Sequence, residues 1–257
     1  MCNNNVRAPL VVLCGILTAT APGLAAASTP NYGVESRALT GTMPGSGATY
    51  SGYLAGETEV DADNDPPAID WLYNINQQLH ADAESHASTT MGELVGHAYA
   101  LAQRIAATNF PPGVTGTTMG RFIDRLHVVS DTLPNGAPIT LTFQEALSID
   151  WEGSSLHDGK ASCSLQVGSS SALSSWSVAN DVASPAPTTG IVVVKTTVGA
   201  TLSMSARLDV FARGSFFTPG PRYDGSLTVD AVCRTPLVSI SGDARVVAES
   251  GTDYESI

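Results

Sequence analysis

Four side chains that can bind metal ions alternate with small residues over a short stretch of the chain. They are His80, Asp82, Glu84 and His86. On a β-strand, residues two apart point to one face, so all four would line up; on a helix, His80 would pair with Glu84 and Asp82 with His86. Imidazole and carboxylate groups bind zinc and other divalent transition metals, so this is a candidate metal site. The alternative interpretation is a solvent-facing polar strand.

A second group of carboxylates precedes this segment. Asp61, Asp63 and Asp65 have the spacing that opens a calcium-binding loop. An EF-hand loop also needs Gly at its sixth position and Glu at its twelfth, where this chain has Pro66 and Leu72. The segment is therefore interpreted either as an irregular calcium site or as a solvated acidic linker.

Aromatic and acidic residues further along the chain suggest sugar chemistry. Trp151 and Trp176 are candidates for stacking on sugar rings, and the alternative is that they fill the core. Asp150, Glu152 and Asp158 are the acids from which a carboxylate pair for glycoside hydrolysis could be drawn. The sequence contains no G-x-S-x-G, H-E-x-x-H, phosphate-loop or dinucleotide motif, and no catalytic residue is assigned.

The elements that must position these residues are predicted to be strands. From Phe122 onward, apolar and polar residues alternate in short runs, most clearly over 202–210 and 227–233. Turn residues separate the runs, among them the Asn-Gly pair at Asn135 and Gly136. This pattern is typical of sandwiches and barrels. We predict an all-β fold, an antiparallel β-sandwich of the jelly-roll or Ig-like type.

Residues 69–107 carry a mixed signal. Their Ala, Leu, Glu and Gln content favours a helix, whereas their alternation of alanines with polar residues favours strands. We expect a hairpin with its turn near residues 90–92, and a short helix in this N-terminal third is the alternative. If the turn were centred between Thr90 and Met91, His97 would lie opposite Glu84 and add a third imidazole to the candidate metal site.

The N-terminus has the layout of a secretory signal peptide. It combines a short polar start carrying Arg7, an apolar run over 10–19 and small residues up to Ala27. The apolar run is shorter than the roughly 20 residues of a membrane-spanning helix. Cleavage near Ala27 would remove Cys2 and Cys14 with the signal. No second apolar segment of spanning length follows, so no transmembrane helix is expected in the mature chain.

The two remaining cysteines, Cys163 and Cys233, are predicted to form a disulfide in an oxidising compartment. Each shares the parity of the apolar residues on its strand, so both sulfurs should face the core and join two strands or two sheets. A metal-thiolate site is the alternative, although no C-x-x-C spacing occurs.

The charge of the chain restricts its partners. The formal net charge is −12, and removing residues 1–27 takes away Arg7 and no acid, which makes it −13. Such a surface repels phosphate backbones, so nucleic-acid binding is not expected. It suits cations or neutral partners such as glycans.

Several segments resemble exported bacterial β-sandwich proteins of the PEP-CTERM, exosortase-sorted type. The resemblance covers roughly residues 80–254 and is carried by segments 122–126, 133–143, 198–208, 230–231 and 250–254. It implies an exported β-sandwich and brings no catalytic residues with it. The Pro-Glu-Pro tail that defines the family does not occur in this sequence.

Together these patterns predict three regions: a signal peptide (1–27), an extended N-terminal region with an acidic linker (28–75) and a β-sandwich domain (76–257). We expect a secreted, extracellular or periplasmic protein that is not an enzyme and serves adhesion or carbohydrate binding in the envelope, matrix or extracellular space. Glycans or other matrix components are its expected partners, and calcium or zinc is the cofactor to test. The alternative function is a secreted, polysaccharide-acting hydrolase on the same scaffold.

Overall fold

We describe the protein from a computed structural model. The structure describes residues 30–41, 46–66, 69–74, 77–104, 114–154, 157–179, 182–184, 189–214 and 223–257. The predicted signal peptide lies outside these residues, as do residues 75–76 and 105–107 of the segment with the mixed signal.

The described residues form β-strands and no helix. In chain order the strands are β1 (Gly33–Gly41), β2 (Ser46–Tyr50), β3 (Leu54–Ala55), β4 (Glu59–Asn64), β5 (Ile69–Asn74), β6 (Gln77–Thr90), β7 (Glu93–Arg104), β8 (Val114–Val129), β9 (Pro138–Gly153), β10 (His157–Val167), β11 (Ser170–Ala179), β12 (Val182–Ala183), β13 (Gly190–Thr197), β14 (Thr201–Gly214), β15 (Tyr223–Arg234), β16 (Leu237–Ile240) and β17 (Arg245–Ala248).

The strands build two antiparallel sheets that pack face to face. One has nine described strands in the order β12-β11-β10-β14-β8-β1-β2, with β17 beside β8 and β3 beside β1. The other has eight in the order β13-β9-β15-β7-β6-β4, with β16 beside β9 and β5 beside β6. Along the long strands β8, β10 and β14, alternate residues are buried against the partner sheet, and the largest fully buried side chains include Phe122 and Phe143. The predicted antiparallel β-sandwich is confirmed.

The segment with the mixed signal is a hairpin. Strands β6 and β7 pair from Leu79 opposite Arg104 to Thr90 opposite Glu93, which leaves Met91 and Gly92 as a two-residue turn. Gly92 has a φ of 90°, a conformation that glycine adopts without the steric cost of a Cβ. The predicted hairpin is therefore correct, and the helical alternative is not found among the described residues.

Strands from the N-terminal region are part of the sandwich. Strand β1 lies between β2 and β8 in the nine-stranded sheet, and β4 pairs with β6 in the other. Asp61 and Asp63 belong to β4, so the description of this acidic segment as a linker was wrong. Buried Ala62 lies directly opposite buried Ala87 of β6, and this apolar inner face anchors the segment to the sheet.

The sandwich is narrow where β6 and β7 cover β8. The inward residues of β6 and β7 are mainly alanines, and a Cβ added to Gly116 of β8 would lie 2.6 Å from the backbone oxygen of Tyr99. Stacked sheets usually lie about 10 Å apart, but here Cα atoms of β7 and β8 approach within 8 Å. Small side chains permit this close approach.

The disulfide between Cys163 and Cys233 joins the two sheets. Cys163 lies on β10 of the nine-stranded sheet and Cys233 on β15 of the eight-stranded sheet, with Cα atoms 6.0 Å apart. Both residues are fully buried, as their shared parity with apolar neighbours predicted. Separately, the described residues contain no helical segment with the length and hydrophobicity that a bilayer crossing requires.

Candidate functional site

The outer face of the eight-stranded sheet gathers most of the polar residues that the sequence singled out. Strands β4, β6, β7, β15 and β9 lie side by side there. Along β6, Ala81, Ala83, Ser85 and Ala87 point inward and the polar residues that alternate with them point outward, because side chains alternate across a strand. Residues that are far apart in sequence therefore become neighbours across the strands.

One line of directly paired residues crosses all five strands. Asp63 pairs with His86, His86 with His97, His97 with Asp230, and Asp230 with Asp150. We call this line the Asp–His row. His97 and Asp230 are in contact, with Nδ1 of the imidazole 2.7 Å from Oδ1 of the carboxylate. Their side chains are 26% and 54% exposed, so this contact is open to solvent.

A second line runs next to the first, two residues further along each strand. We call it the Tyr99 row, and it consists of Glu84, Tyr99, Thr228 and Glu152. Tyr99 is half-buried and lies between Glu84 on one neighbouring strand and Thr228 on the other. Burial raises the pKa of the Tyr99 hydroxyl, and the carboxylates of Asp82 and Glu84 raise it further. The phenol is therefore neutral at ordinary pH.

The two rows meet in a shallow depression above β9 and β15. It is lined by Asp150, Trp151, Glu152, Thr228 and Asp230. Of these, Asp150 lies directly opposite Asp230, and Thr228 directly opposite Glu152. The depression therefore offers several carboxylate acceptors and one hydroxyl group to a polar ligand.

The metal site predicted along β6 is arranged differently in the structure. His80, Asp82, Glu84 and His86 do share the outer side of one strand. A strand rises about 3.4 Å per residue, so His80 and His86 lie about 20 Å apart, and one ion cannot contact both. One ion therefore cannot bind all four residues along β6.

The predicted pairing of His97 with Glu84 across the β6–β7 hairpin was also wrong. The turn is centred between Met91 and Gly92, one residue later than assumed, and this shifts each pairing by two residues. His97 therefore lies opposite His86 and not opposite Glu84, which places two imidazoles side by side.

The irregular calcium site considered at Asp61, Asp63 and Asp65 falls on a strand and the residue after it. Asp61 and Asp63 are exposed on the extended strand β4, and Asp65 follows its end. A calcium loop wraps its ligands around the ion, whereas carboxylates two apart on a strand project in parallel about 7 Å from each other. Asp63 instead faces His86.

Trp151 and Trp176 pack within the sandwich. Their rings lie 5.9 Å apart, and the Trp151 ring is also 5.6 Å from the imidazole of His157. Trp176 is 5% exposed and His157 2%, while Trp151 is half-buried. The core-packing alternative therefore describes Trp176, and its ring offers no open surface to a sugar.

The three acids considered for glycoside hydrolysis are divided between the sheets. Asp150 and Glu152 point outward from β9, whereas Asp158 points outward from β10 in the opposite sheet. The sandwich lies between them, so Asp158 cannot act with the other two. The acid that does face Asp150 is Asp230, which the sequence alone did not connect with it.

Two buried carboxylates were missed by the sequence interpretation. Asp124 is 1% exposed and accepts hydrogen bonds from the hydroxyl groups of Ser250 (2.5 Å) and Tyr254 (2.9 Å). Glu145 is fully buried beside the disulfide. Its carboxylate and the two cysteine sulfurs are the only described group of three potential metal ligands within 4.8 Å of one another, and the sulfurs are already bonded together.

The chain has no match among family models, curated proteins or solved structures.

Proposed function

We propose that the protein is an exported, non-enzymatic β-sandwich module that binds glycans on the outer face of its eight-stranded sheet. The observation that carries the proposal is the Tyr99 row, in which one half-buried phenol ring is flanked by hydrogen-bonding side chains on both neighbouring strands. Its place of action would be the envelope, the matrix or the extracellular space.

The chemistry of this face suits a sugar. An aromatic ring offers an apolar surface on which the C–H face of a sugar ring can stack, and Tyr99 is central on the sheet. Carboxylates accept hydrogen bonds from sugar hydroxyls, and Glu84 and Glu152 belong to the same row. The adjacent depression contains Asp150 and extends the polar surface across β15 and β9.

Export is supported by two independent features. The N-terminal pattern of Arg7, an apolar run and small residues is that of a signal peptide. Disulfides such as the one between Cys163 and Cys233 occur mainly in proteins of oxidising compartments. The net charge of −12 favours a neutral ligand over an anionic one.

The test is affinity electrophoresis of the purified protein through gels that contain neutral polysaccharides such as glucan, xylan or mannan. We expect at least one of them to retard the protein, and Tyr99→Ala to abolish the retardation. Phe211→Ala is the matched control, because Phe211 is a half-buried aromatic residue on the outer side of β14, in the opposite sheet. Equal retardation of both variants, or no retardation of the unaltered protein, would overturn the proposal.

A hydrolase is the second candidate, and one observation favours it. Asp150 and Asp230 lie directly opposite each other, and directly paired residues of antiparallel strands have Cβ atoms about 5 Å apart. That spacing brings two carboxylates within the range used by glycosidases. Release of reducing ends from a polysaccharide that binds, and its loss in Asp150→Asn, would replace simple binding by hydrolysis.

A further inference from the structure

We infer that the Asp–His row binds one divalent transition-metal ion, such as Zn²⁺, through His86, His97 and Asp63, with Asp230 positioning His97. This site differs from the one expected along β6, and it is independent of glycan binding. It follows from strand register, one hydrogen bond and the chemistry of the side chains on this face.

The register brings the three ligands together on adjacent strands. His86 on β6 pairs directly with His97 on β7 and, on its other side, with Asp63 on β4. Directly paired residues have Cβ atoms about 5 Å apart and point to the same side of the sheet. Two imidazoles at this spacing can place one nitrogen each on a shared ion at the usual Zn–N distance of about 2.0 Å.

The contact between His97 and Asp230 leaves the imidazole ready to bind. Nδ1 lies 2.7 Å from the carboxylate, so the carboxylate can accept the Nδ1 proton and leave the lone pair of Nε2 available to a metal ion. Histidines that bind metals almost always donate their second nitrogen in this way, which fixes the orientation of the ring. Asp230 thus acts through His97 as a positioning residue.

The electrostatic field of the face favours a cation. Exposed or half-exposed carboxylates surround the two imidazoles on this side of the sheet: Asp61, Asp63, Asp82, Glu84, Asp150, Glu152 and Asp230. The nearby cation Arg234 is already paired with Glu93, at 2.5 Å. The carboxylates therefore attract cations to this face, and the two imidazoles favour transition-metal ions among them.

The ligand set selects a transition metal over calcium. Calcium takes six to eight oxygen ligands, and two imidazoles side by side do not provide them. Two imidazoles and one carboxylate match a zinc site with a fourth position left to water or a ligand. In the structure the three side chains are not gathered within 4.8 Å, so the ion would draw them together by rotation of exposed side chains.

The experiment compares thermal unfolding and isothermal titration of the purified protein with Zn²⁺ and with Ca²⁺, after treatment with EDTA and its removal. We expect Zn²⁺ to bind at one site per chain and raise the melting temperature by several degrees, and Ca²⁺ to do neither, because an ion that binds only the folded state stabilises it. His86→Gln and His97→Gln should each weaken Zn²⁺ binding at least tenfold.

Three further variants separate this site from non-specific binding. His80→Gln should leave Zn²⁺ binding unchanged, since His80 lies too far along β6. His127→Gln is the matched control, because His127 forms a similar surface contact with Glu249, at 3.1 Å, on the other sheet. Asp230→Asn should weaken binding about 10- to 100-fold while keeping one ion per chain.

These outcomes test the metal site independently of glycan binding. Loss of Zn²⁺ binding in the variants of His86 and His97, with binding retained in the variants of His80 and His127, supports it. The inference is overturned if Zn²⁺ still binds to both His86→Gln and His97→Gln, or if the unaltered protein does not bind Zn²⁺. Either result leaves glycan binding to be judged separately when the polysaccharide gels are run with EDTA, which removes the metal ion.

Discussion

Ser174 on β11 donates a hydrogen bond of 2.7 Å to Oε2 of Glu145 on β9, across the interior of the sandwich. Glu145 is fully buried, and its other oxygen has no hydrogen-bond partner among the described residues. Burial raises the pKa of the Glu145 carboxyl, and the hydrogen bond from Ser174 opposes this rise only in part. The interior therefore favours the protonated acid.

This relationship predicts a pH dependence of folding. Because the folded pKa of Glu145 is raised, its contribution to stability is present below the unfolded pKa and is lost as the pH rises through the folded value. Glutamine does not ionise, so Glu145→Gln should not lose stability in this way as the pH rises. We expect the variant to gain stability relative to the unaltered protein as the pH rises from 4 to 8, measured by urea unfolding.

The exposed Glu152 supplies the control, since a surface substitution such as Glu152→Gln should change stability by less than about 0.5 kcal/mol. A difference between the Glu145 variant and the unaltered protein that stays flat with pH would show that Glu145 has an ordinary pKa in the fold.

A second prediction concerns the buried carboxylate of Asp124. The Tyr254 hydroxyl donates to it at 2.9 Å, and burial with the neighbouring carboxylate raises the pKa of that hydroxyl, which keeps it a donor. Tyr254→Phe keeps the ring, which lies 6.3 Å from Phe122, but removes one hydrogen bond to a charged group. We expect a loss of about 2 kcal/mol in the free energy of unfolding, measured with urea.

Tyr53→Phe is the comparison for Tyr254→Phe, because Tyr53 is 44% exposed and its hydroxyl can be solvated. It should change stability by less than about 0.5 kcal/mol. Equal effects of the two variants would mean that Asp124 does not depend on Tyr254.

The fold could be predicted from local patterns, because alternation reports which residues of a strand face the core. The runs over 202–210 and 227–233 became the alternating parts of β14 and β15, and the parity of Cys163 and Cys233 placed both sulfurs in the core. These features depend on residues that lie close together in the sequence, so a single sequence is enough to predict them.

The candidate site depends on register between distant segments. His97 and Asp230 are 133 positions apart, and no local pattern pairs them. His86 and His97 are close in sequence, yet a shift of one residue in the turn decided whether His97 faced His86 or Glu84. The side chains of the outer face are polar in either register, so the hydrophobic pattern does not distinguish the two pairings.

A third prediction tests the bond between the sheets. Cys163 and Cys233 are 70 positions apart, so the closed loop is long, and the chain-entropy model gives about 4 kcal/mol of stabilisation. The double variant Cys163→Ala, Cys233→Ala should therefore unfold at a lower urea concentration by about that free energy. The unaltered protein, unfolded and refolded with reductant, should behave in the same way. A double variant as stable as the oxidised protein would show that the disulfide adds nothing to folding.

A fourth prediction concerns the narrow part of the sandwich beneath the candidate site. A Cβ at Gly116 would lie 2.6 Å from the backbone oxygen of Tyr99 and 2.8 Å from that of Glu84. Backbone atoms cannot rotate away, so Gly116→Ala must push β6 and β7 outward. We expect a loss of about 3 kcal/mol, at the upper end of the usual cost of overpacking, measured by urea unfolding.

Gly41→Ala provides the control for this prediction, because among the described residues a Cβ there would meet only the Thr115 hydroxyl, which can rotate. Its effect should be near zero or slightly stabilising, since alanine restricts the unfolded chain. Tyr99 and Glu84 also form the Tyr99 row, so displacement of their strands by Gly116→Ala should weaken polysaccharide retardation as well as stability. If Gly116→Ala reduces stability no more than Gly41→Ala does, the two sheets are not held in contact at Gly116. The outer face then does not depend on the glycine beneath it.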